Sequence, residues 1–114
     1  MAVKNIGARE MKELLASRES VEIIDVREQD EYDIIHIKDS KLIPMSQIQE
    51  RADEIDWSKE VVFICRSGAR SGVVANFLAD NEKKISNLRS GIFECYRDGD
   101  CQLEILKEQI GMYF

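Results

Sequence analysis

The stretch from Val61 to Ser71 constrains the fold of this chain more than any other part of the sequence. It opens with an apolar and largely β-branched run, Val61-Val62-Phe63-Ile64, which predicts a buried strand. Apolar residues then recur at helical spacing over 71–81, which predicts a helix. Cys65 lies in the turn between them, so the sequence predicts a cysteine at the point where a buried strand ends and a helix begins.

This turn, Cys65-Arg66-Ser67-Gly68-Ala69-Arg70-Ser71, has the composition of an anion cradle, because its residues are small apart from the two arginines. The backbone N–H groups of such a turn converge on one point, and the free N–H groups of the following helix add to them. A thiol placed there ionises more easily, since the cradle stabilises its thiolate. The pattern indicates a nucleophilic cysteine that handles an anion.

Strand-like runs alternate with helical patterns along the rest of the chain. Strands are predicted at 3–6, 21–26, 41–43, 61–64 and 85–88, with helical patterns between them. Ser46 and Gln49 have the spacing of a capping box at one helix start. Leu103, Leu106 and Ile110 predict a last helix that Gly111 ends.

This alternation predicts an α/β fold with a mainly parallel sheet. Ligands bind at the carboxyl ends of the strands of such sheets. Cys65 follows one strand end, and Asp25 and Arg27 stand at another. We expect the three residues to face one crevice, where Asp25 and Arg27 form either an ordinary ion pair or a support for the loop.

Length and charge limit what the chain can bind. Its 114 residues predict a single domain, 1–114, and a monomer. The net charge of −6 argues against a nucleic-acid partner, and a positive pocket in an acidic protein favours small anions. No apolar run approaches the roughly 20 residues of a membrane span, and no signal-peptide pattern opens the chain. We therefore expect a cytoplasmic protein with no membrane partner.

The three cysteines, Cys65, Cys95 and Cys101, form no Cys-x-x-Cys pair and no disulfide framework. Free thiols and a reducing compartment are therefore expected. Cys95 and Cys101 are interpreted as small buried side chains, with the alternative that one of them resolves an oxidised Cys65. His36 is the single histidine and is assigned to packing or a backbone hydrogen bond, so no metal site is expected.

Nearly the whole chain resembles the single-domain rhodaneses, a family of thiosulfate sulfurtransferases. Three segments carry the resemblance: Ile24-Asp25-Val26-Arg27-Glu28, the loop over 62–71, and Asn87-Leu88-Arg89-Ser90-Gly91-Ile92. The family fold that this implies is a three-layer sandwich, with a five-stranded sheet between helices on both faces. The sequence departs from the family where Ile35 and Asp39 replace glycines, Ser90 replaces the first glycine of a pair, and Cys95 replaces a tryptophan.

The resemblance implies sulfur transfer without a cofactor. The Cys65 thiolate would attack the sulfane sulfur of a small anionic donor such as thiosulfate, release sulfite and become a persulfide. A thiol, a protein or cyanide would then take the outer sulfur. The loop amides would hold the persulfide and Arg66 and Arg70 would attract the donor. The further roles implied are hydrogen bonds from Ser67 and Ser71, and support from Asp25 and Arg27.

Three other functions stay open. Cysteine phosphatases and arsenate reductases use a similar cradle, but they place one more residue between cysteine and arginine than the four found here. A non-catalytic binding module of the same fold is the second alternative, although such modules often lose the cysteine. The third is a redox sensor that pairs Cys65 with Cys95 or Cys101.

Overall fold

The computed structural model describes residues 3–17, 20–98, 101–107 and 110–114. A five-stranded sheet, parallel throughout, forms its centre. Its strands are β1 (Val3–Ile6), β2 (Val21–Asp25), β4 (Lys41–Leu42), β5 (Glu60–Ile64) and β6 (Ile85–Leu88), in the order β1-β6-β5-β2-β4. Two further strands, β3 (Ile35–Ile37) and β7 (Leu103–Ile105), form a separate antiparallel pair.

Helices cover both faces of the sheet. They are α1 (Ala8–Ala16), α2 (Gln29–Tyr32), α3 (Ile48–Arg51), α4 (Ala69–Leu78), α5 (Gly91–Asp98) and α6 (Ile110–Tyr113). One core cluster contains Met11 of α1 and Ile92 of α5, and the other contains Ile48 of α3 and Val74 of α4. The α/β fold and the three layers predicted for the chain are confirmed.

The central strand β5 contributes to both core clusters. Val62 and Ile64 join the cluster of α1 and α5, whereas Val61 and Phe63 join that of α3 and α4. Successive side chains of a strand point to opposite faces, and a parallel strand covered on both faces is apolar throughout. Cys65 follows β5 directly, so it leaves the sheet at its middle rather than at an edge.

Three local predictions are wrong. The segment around Leu103 is strand β7 rather than a helix, and the backbone N–H of Leu106 continues the pairing by donating to the carbonyl oxygen of Ile34 at 2.8 Å. Gly111 lies inside α6 instead of ending a helix. Ser46 caps nothing, because it lies within the short 3₁₀ turn Met45–Gln47, which begins after Pro44.

The expectation of three free thiols is also wrong. Cys95, in the middle of α5, is joined by a disulfide to Cys101, and the two Cα atoms are 5.6 Å apart. Both side chains are buried in the core cluster of α1 and α5. The two cysteines are 6 residues apart in the sequence, which a search for Cys-x-x-Cys spacing does not find. Cys65 is the free cysteine.

Candidate active site

The loop after β5 rests on the first turn of α5. The backbone N–H groups of Ile92 and Phe93 donate to the carbonyl oxygens of Cys65 and Arg66, each at 3.0 Å. These bonds satisfy donors that a helix start leaves unpaired, and they fix the backbone that follows Cys65.

Two glycines allow this close approach. Gly68 has φ of +96° and its missing Cβ would overlap the carbonyl group of Arg89. Gly91 has φ of +63° and its Cβ would overlap the carbonyl oxygen of Arg66. Any other residue would be strained at either position, since the left-handed region favours glycine. Ser90 lies outside that region, so the missing first glycine of the family pair leaves this turn intact.

The sulfur of Cys65 accepts three hydrogen bonds from the loop and the first turn of α4. The Gly68 N–H donates at 3.1 Å, the Ser71 N–H at 3.4 Å and the Ser71 hydroxyl at 3.3 Å. Burial raises the pKa of Cys65, but the bonds from the Ser71 hydroxyl and from the N–H groups of Ser71, Ser67 and Gly68 outweigh it. The pKa of the thiol is therefore held below its ordinary value. Cys65 is only 1% exposed, which keeps these bonds out of competition with water.

Arg70, on the first turn of α4, is paired with an acidic residue that the sequence analysis did not select. Its Nη1 and Nη2 donate to the two carboxylate oxygens of Glu31 at 2.8 and 2.9 Å. Burial raises the pKa of Glu31, but the bonds from Arg70 outweigh it and lower the pKa to about 2. The bond to Glu31 also raises the pKa of Arg70, so the guanidinium is charged and fixed beside the loop.

Arg66 is held by α6. Its Nε donates to the carbonyl oxygen of Tyr113 at 3.2 Å. Its guanidinium also lies within 6.0 Å of the ring centres of Phe93, Tyr113 and Phe114. Stacking on aromatic faces suits a guanidinium, which is planar and weakly hydrated.

Asp25 and Arg27 form an ion pair with no exposed surface on either side chain. Arg27 Nη2 donates to Asp25 at 2.8 Å and to the carbonyl oxygen of Ile35 at 2.6 Å. Its Nη1 donates to the hydroxyl of Tyr113 at 3.2 Å, and that hydroxyl donates to Glu31 at 2.8 Å. Nη1 of Arg27 also donates to the carbonyl oxygen of Glu31 at 3.4 Å, so the pair is connected to Arg70 through Glu31, both directly and by way of Tyr113.

The other loop residues contribute backbone. The Ser67 N–H is one of the groups that lower the pKa of Cys65, while its side chain is exposed, and Ala69 is the exposed first residue of α4. Asn87 is a further residue that sequence reasoning did not assign to the site, and its Oδ1 accepts from the Ser71 hydroxyl at 2.6 Å. A polar residue in a buried strand is the signal that could have found it.

The described segments hold no group of three or more histidine, cysteine and acidic side chains placed to bind a metal ion. No helix in those segments has the length and hydrophobicity to cross a bilayer.

The fold and the loop define a class of α/β domains in which a cysteine thiolate is held by backbone N–H groups beyond the central parallel strand. The chain belongs to the rhodanese-like domain family, whose model matches residues 7–98. β7 and α6, which holds Arg66, lie beyond that match.

Known relatives agree with this assignment. The chain is 35% identical over 98 residues to a sulfurtransferase of Allochromatium vinosum, covering 85% of this chain and 92% of that protein. It is also 35% identical over 98 residues to the thiosulfate sulfurtransferase GlpE of Coxiella burnetii, covering 85% and 90%. The crystal structure of a rhodanese-like domain protein from Staphylococcus aureus has a TM-score of 0.76 at 31% identity, covering 91% and 99%.

Proposed function

We propose that this protein is a sulfurtransferase that carries a sulfane sulfur on Cys65 from a small anionic donor to a thiol. The observation that carries the proposal is the set of three hydrogen bonds from Gly68 and Ser71 to one buried sulfur. They stabilise negative charge on Sγ before any substrate arrives, which is what a nucleophilic thiol needs.

In the first step the Cys65 thiolate attacks the outer sulfur of thiosulfate. A new S–S bond forms at Sγ, the bond between the two thiosulfate sulfurs breaks, and its electron pair leaves with sulfite. In the second step an acceptor thiolate attacks the outer sulfur of the persulfide, and Cys65 leaves with the electron pair as a thiolate. Thiosulfate is the donor that the name of the Coxiella relative supports.

Arg70 is the cation best placed to attract the donor. Two of its five N–H groups bind Glu31, and within the described residues the other three have no bond partner. Glu31 fixes the direction of the Arg70 guanidinium and partly neutralises its charge. A small anion can therefore bind to Arg70, and the sulfite formed from it can leave. Arg66 adds positive charge on the other side of the loop. All these groups come from one chain, so we propose that a monomer suffices.

The disulfide weakens the redox-sensor alternative. A sensor of that kind needs a free resolving thiol for Cys65, and in this structure Cys95 and Cys101 are bonded to each other. Reduction would have to release one of them first.

Single-residue variants test the proposal with thiosulfate as donor and cyanide as acceptor. Cys65→Ser abolishes thiocyanate formation, because a hydroxyl forms no persulfide. Arg70→Ala raises the KM for thiosulfate about tenfold, since the loss of a partly exposed charged hydrogen bond costs on the order of 1.4 kcal/mol.

The matched control replaces the other two cysteines, Cys95 and Cys101, with alanine and keeps turnover. Thiocyanate formation by Cys65→Ser at the rate of the unmodified protein would refute the mechanism. Dephosphorylation of an aryl phosphate that depends on Cys65, without sulfur transfer, would favour a phosphatase instead.

A further inference from the structure

The hydroxyl group of Ser71 lies between two acceptors that compete for it. Its Oγ is 3.3 Å from the sulfur of Cys65 and 2.6 Å from Oδ1 of Asn87. Ser71 has no exposed surface and Asn87 is 5% exposed, so water does not supply a second donor. A serine hydroxyl carries one hydrogen, which can complete only one of these bonds at a time.

The Asn87 side chain is held with its oxygen towards Ser71. Its Nδ2 donates to the carbonyl oxygen of Gly68 and to Oδ1 of Asn5, both at 3.2 Å. If the amide turned over, its oxygen would face the Gly68 carbonyl, which has no hydrogen to give. Oδ1 of Asn87 is therefore a fixed acceptor for the Ser71 hydroxyl.

We propose that Asn87 is a positioning residue that sets the charge state of Cys65 by competing with its sulfur for the single hydroxyl hydrogen of Ser71. The inference rests on the proposed sulfur transfer for its purpose, whereas the geometry stands without it. The short contact to Asn87 has the length of a good O–H···O bond, and sulfur is the weaker acceptor while it is protonated.

The hydroxyl then follows the negative charge through the reaction. In the thiol state it points to Asn87. In the thiolate state it turns to Sγ, and Asn87 loses its donor. When the persulfide forms, the charge moves to the outer sulfur and the hydroxyl returns to Asn87. No proton leaves Ser71 in these steps, and only the direction of its O–H bond changes.

The other charged residues near the loop do not change when Asn87 is substituted. The titratable and charged residues around it are Asp25, Arg27, Glu31, Arg66, Arg70, Arg89 and Tyr113. None of them forms a hydrogen bond with Asn87 or Ser71 in the described residues. A substitution of Asn87 therefore acts on Cys65 through the hydroxyl of Ser71 rather than through these charges.

The test measures how fast iodoacetamide alkylates Cys65 as a function of pH. Asn87→Leu, which is similar in size and has no acceptor, should leave the hydroxyl to the thiolate alone. The alkylation rate at a fixed pH below the pKa then rises about three- to tenfold, because the thiol state loses the hydroxyl bond to Asn87 while the thiolate state keeps its bond from Ser71. In a Ser71→Ala background the same substitution should change nothing.

If Asn87 had a purely structural role, its substitution would change the alkylation rate in the opposite direction. If Asn87 only supported the loop at Gly68, its loss would loosen the cradle, slow the alkylation and do so in the Ser71→Ala background as well. An unchanged or slower rate for Asn87→Leu, or an equal effect in both backgrounds, overturns the proposal. Asn5→Ala is the control, because it removes one partner of the Asn87 amide without touching Ser71, and it should leave the rate unchanged.

A second variant covers the case in which Asn87→Leu does not fold. Asn87→Asp keeps the shape and strengthens the acceptor, so the alkylation rate should fall, and should fall less in the Ser71→Ala background. A rate that is unchanged or faster overturns the proposal. Alkylation uses no sulfur donor, so this coupling and the proposed sulfur transfer can fail independently.

Discussion

The substitution Asp25→Asn should be among the most destabilising single changes in this protein. The substitution keeps the shape of the side chain but leaves the guanidinium of Arg27 buried without a counter-charge. Removing one partner of a buried ion pair costs about 3–5 kcal/mol. The unfolding entropy is about 2.1 cal/mol/K per residue over the 114 residues, so each kcal/mol corresponds to about 4 °C. We expect a fall in Tm of about 12–20 °C.

Thermal unfolding followed by circular dichroism measures this fall, and an exposed ion pair provides the control. Arg51 and Glu54 approach as closely as the buried pair, at 2.8 Å, but lie in solvent. Glu54→Gln should leave Tm almost unchanged, because exposed pairs are screened by water. Replacing the buried pair together, Asp25→Leu with Arg27→Met, should recover much of the loss. A Tm for Asp25→Asn within about 4 °C of the unmodified protein would refute the reasoning.

Three further predictions concern Glu31, Gly91 and the disulfide. The pKa of Glu31 lies at about 2 against an ordinary 4.5, so its stabilising effect is complete above about pH 4.5 and is lost as the pH falls towards 2. The Tm difference between the unmodified protein and Glu31→Gln should therefore shrink over that range, and a constant difference would contradict it. Gly91→Ala should cost at least 1–3 kcal/mol in chemical denaturation, roughly the strain of a positive φ, whereas Gly111→Ala, which meets nothing within 4 Å, should cost little. Reducing the disulfide should lower the unfolding free energy by about 2 kcal/mol, because it closes a short loop with a sequence separation of 6. Thiol titration should find one free thiol before reduction and three after it, and three before it would contradict the pairing.

The strand, loop and helix around Cys65 could be predicted because local sequence determines them. The apolar run before Cys65 suits only a covered strand, and Gly68 and Ala69 suit a tight turn into a helix. The position of Asp39 shows the limit of motif comparison. Its φ is +65°, in the left-handed region that favours glycine, and a short polar residue such as aspartate can adopt it.

The partners of the two loop arginines could not be predicted, because they come from distant parts of the chain. Arg70 pairs with Glu31, 39 residues away, and Glu31 accepts from Tyr113, 82 residues away. The spacing of Leu103 and Leu106 suits a helix, and the pairing of this segment with β3 overrides that local pattern. Arg66 and Tyr113 of α6 are 47 residues apart in the sequence, so no local pattern indicates their contact.

Mass spectrometry of the intact protein tests the central claim most directly. The protein is treated with thiosulfate, its mass is measured, and the measurement is repeated after cyanide is added. We predict a gain of one sulfur atom, located on Cys65 by peptide mapping under non-reducing conditions, absent in Cys65→Ser and removed by cyanide. No gain with thiosulfate or with a polysulfide donor, or a gain that survives in Cys65→Ser, would contradict the proposed sulfur transfer.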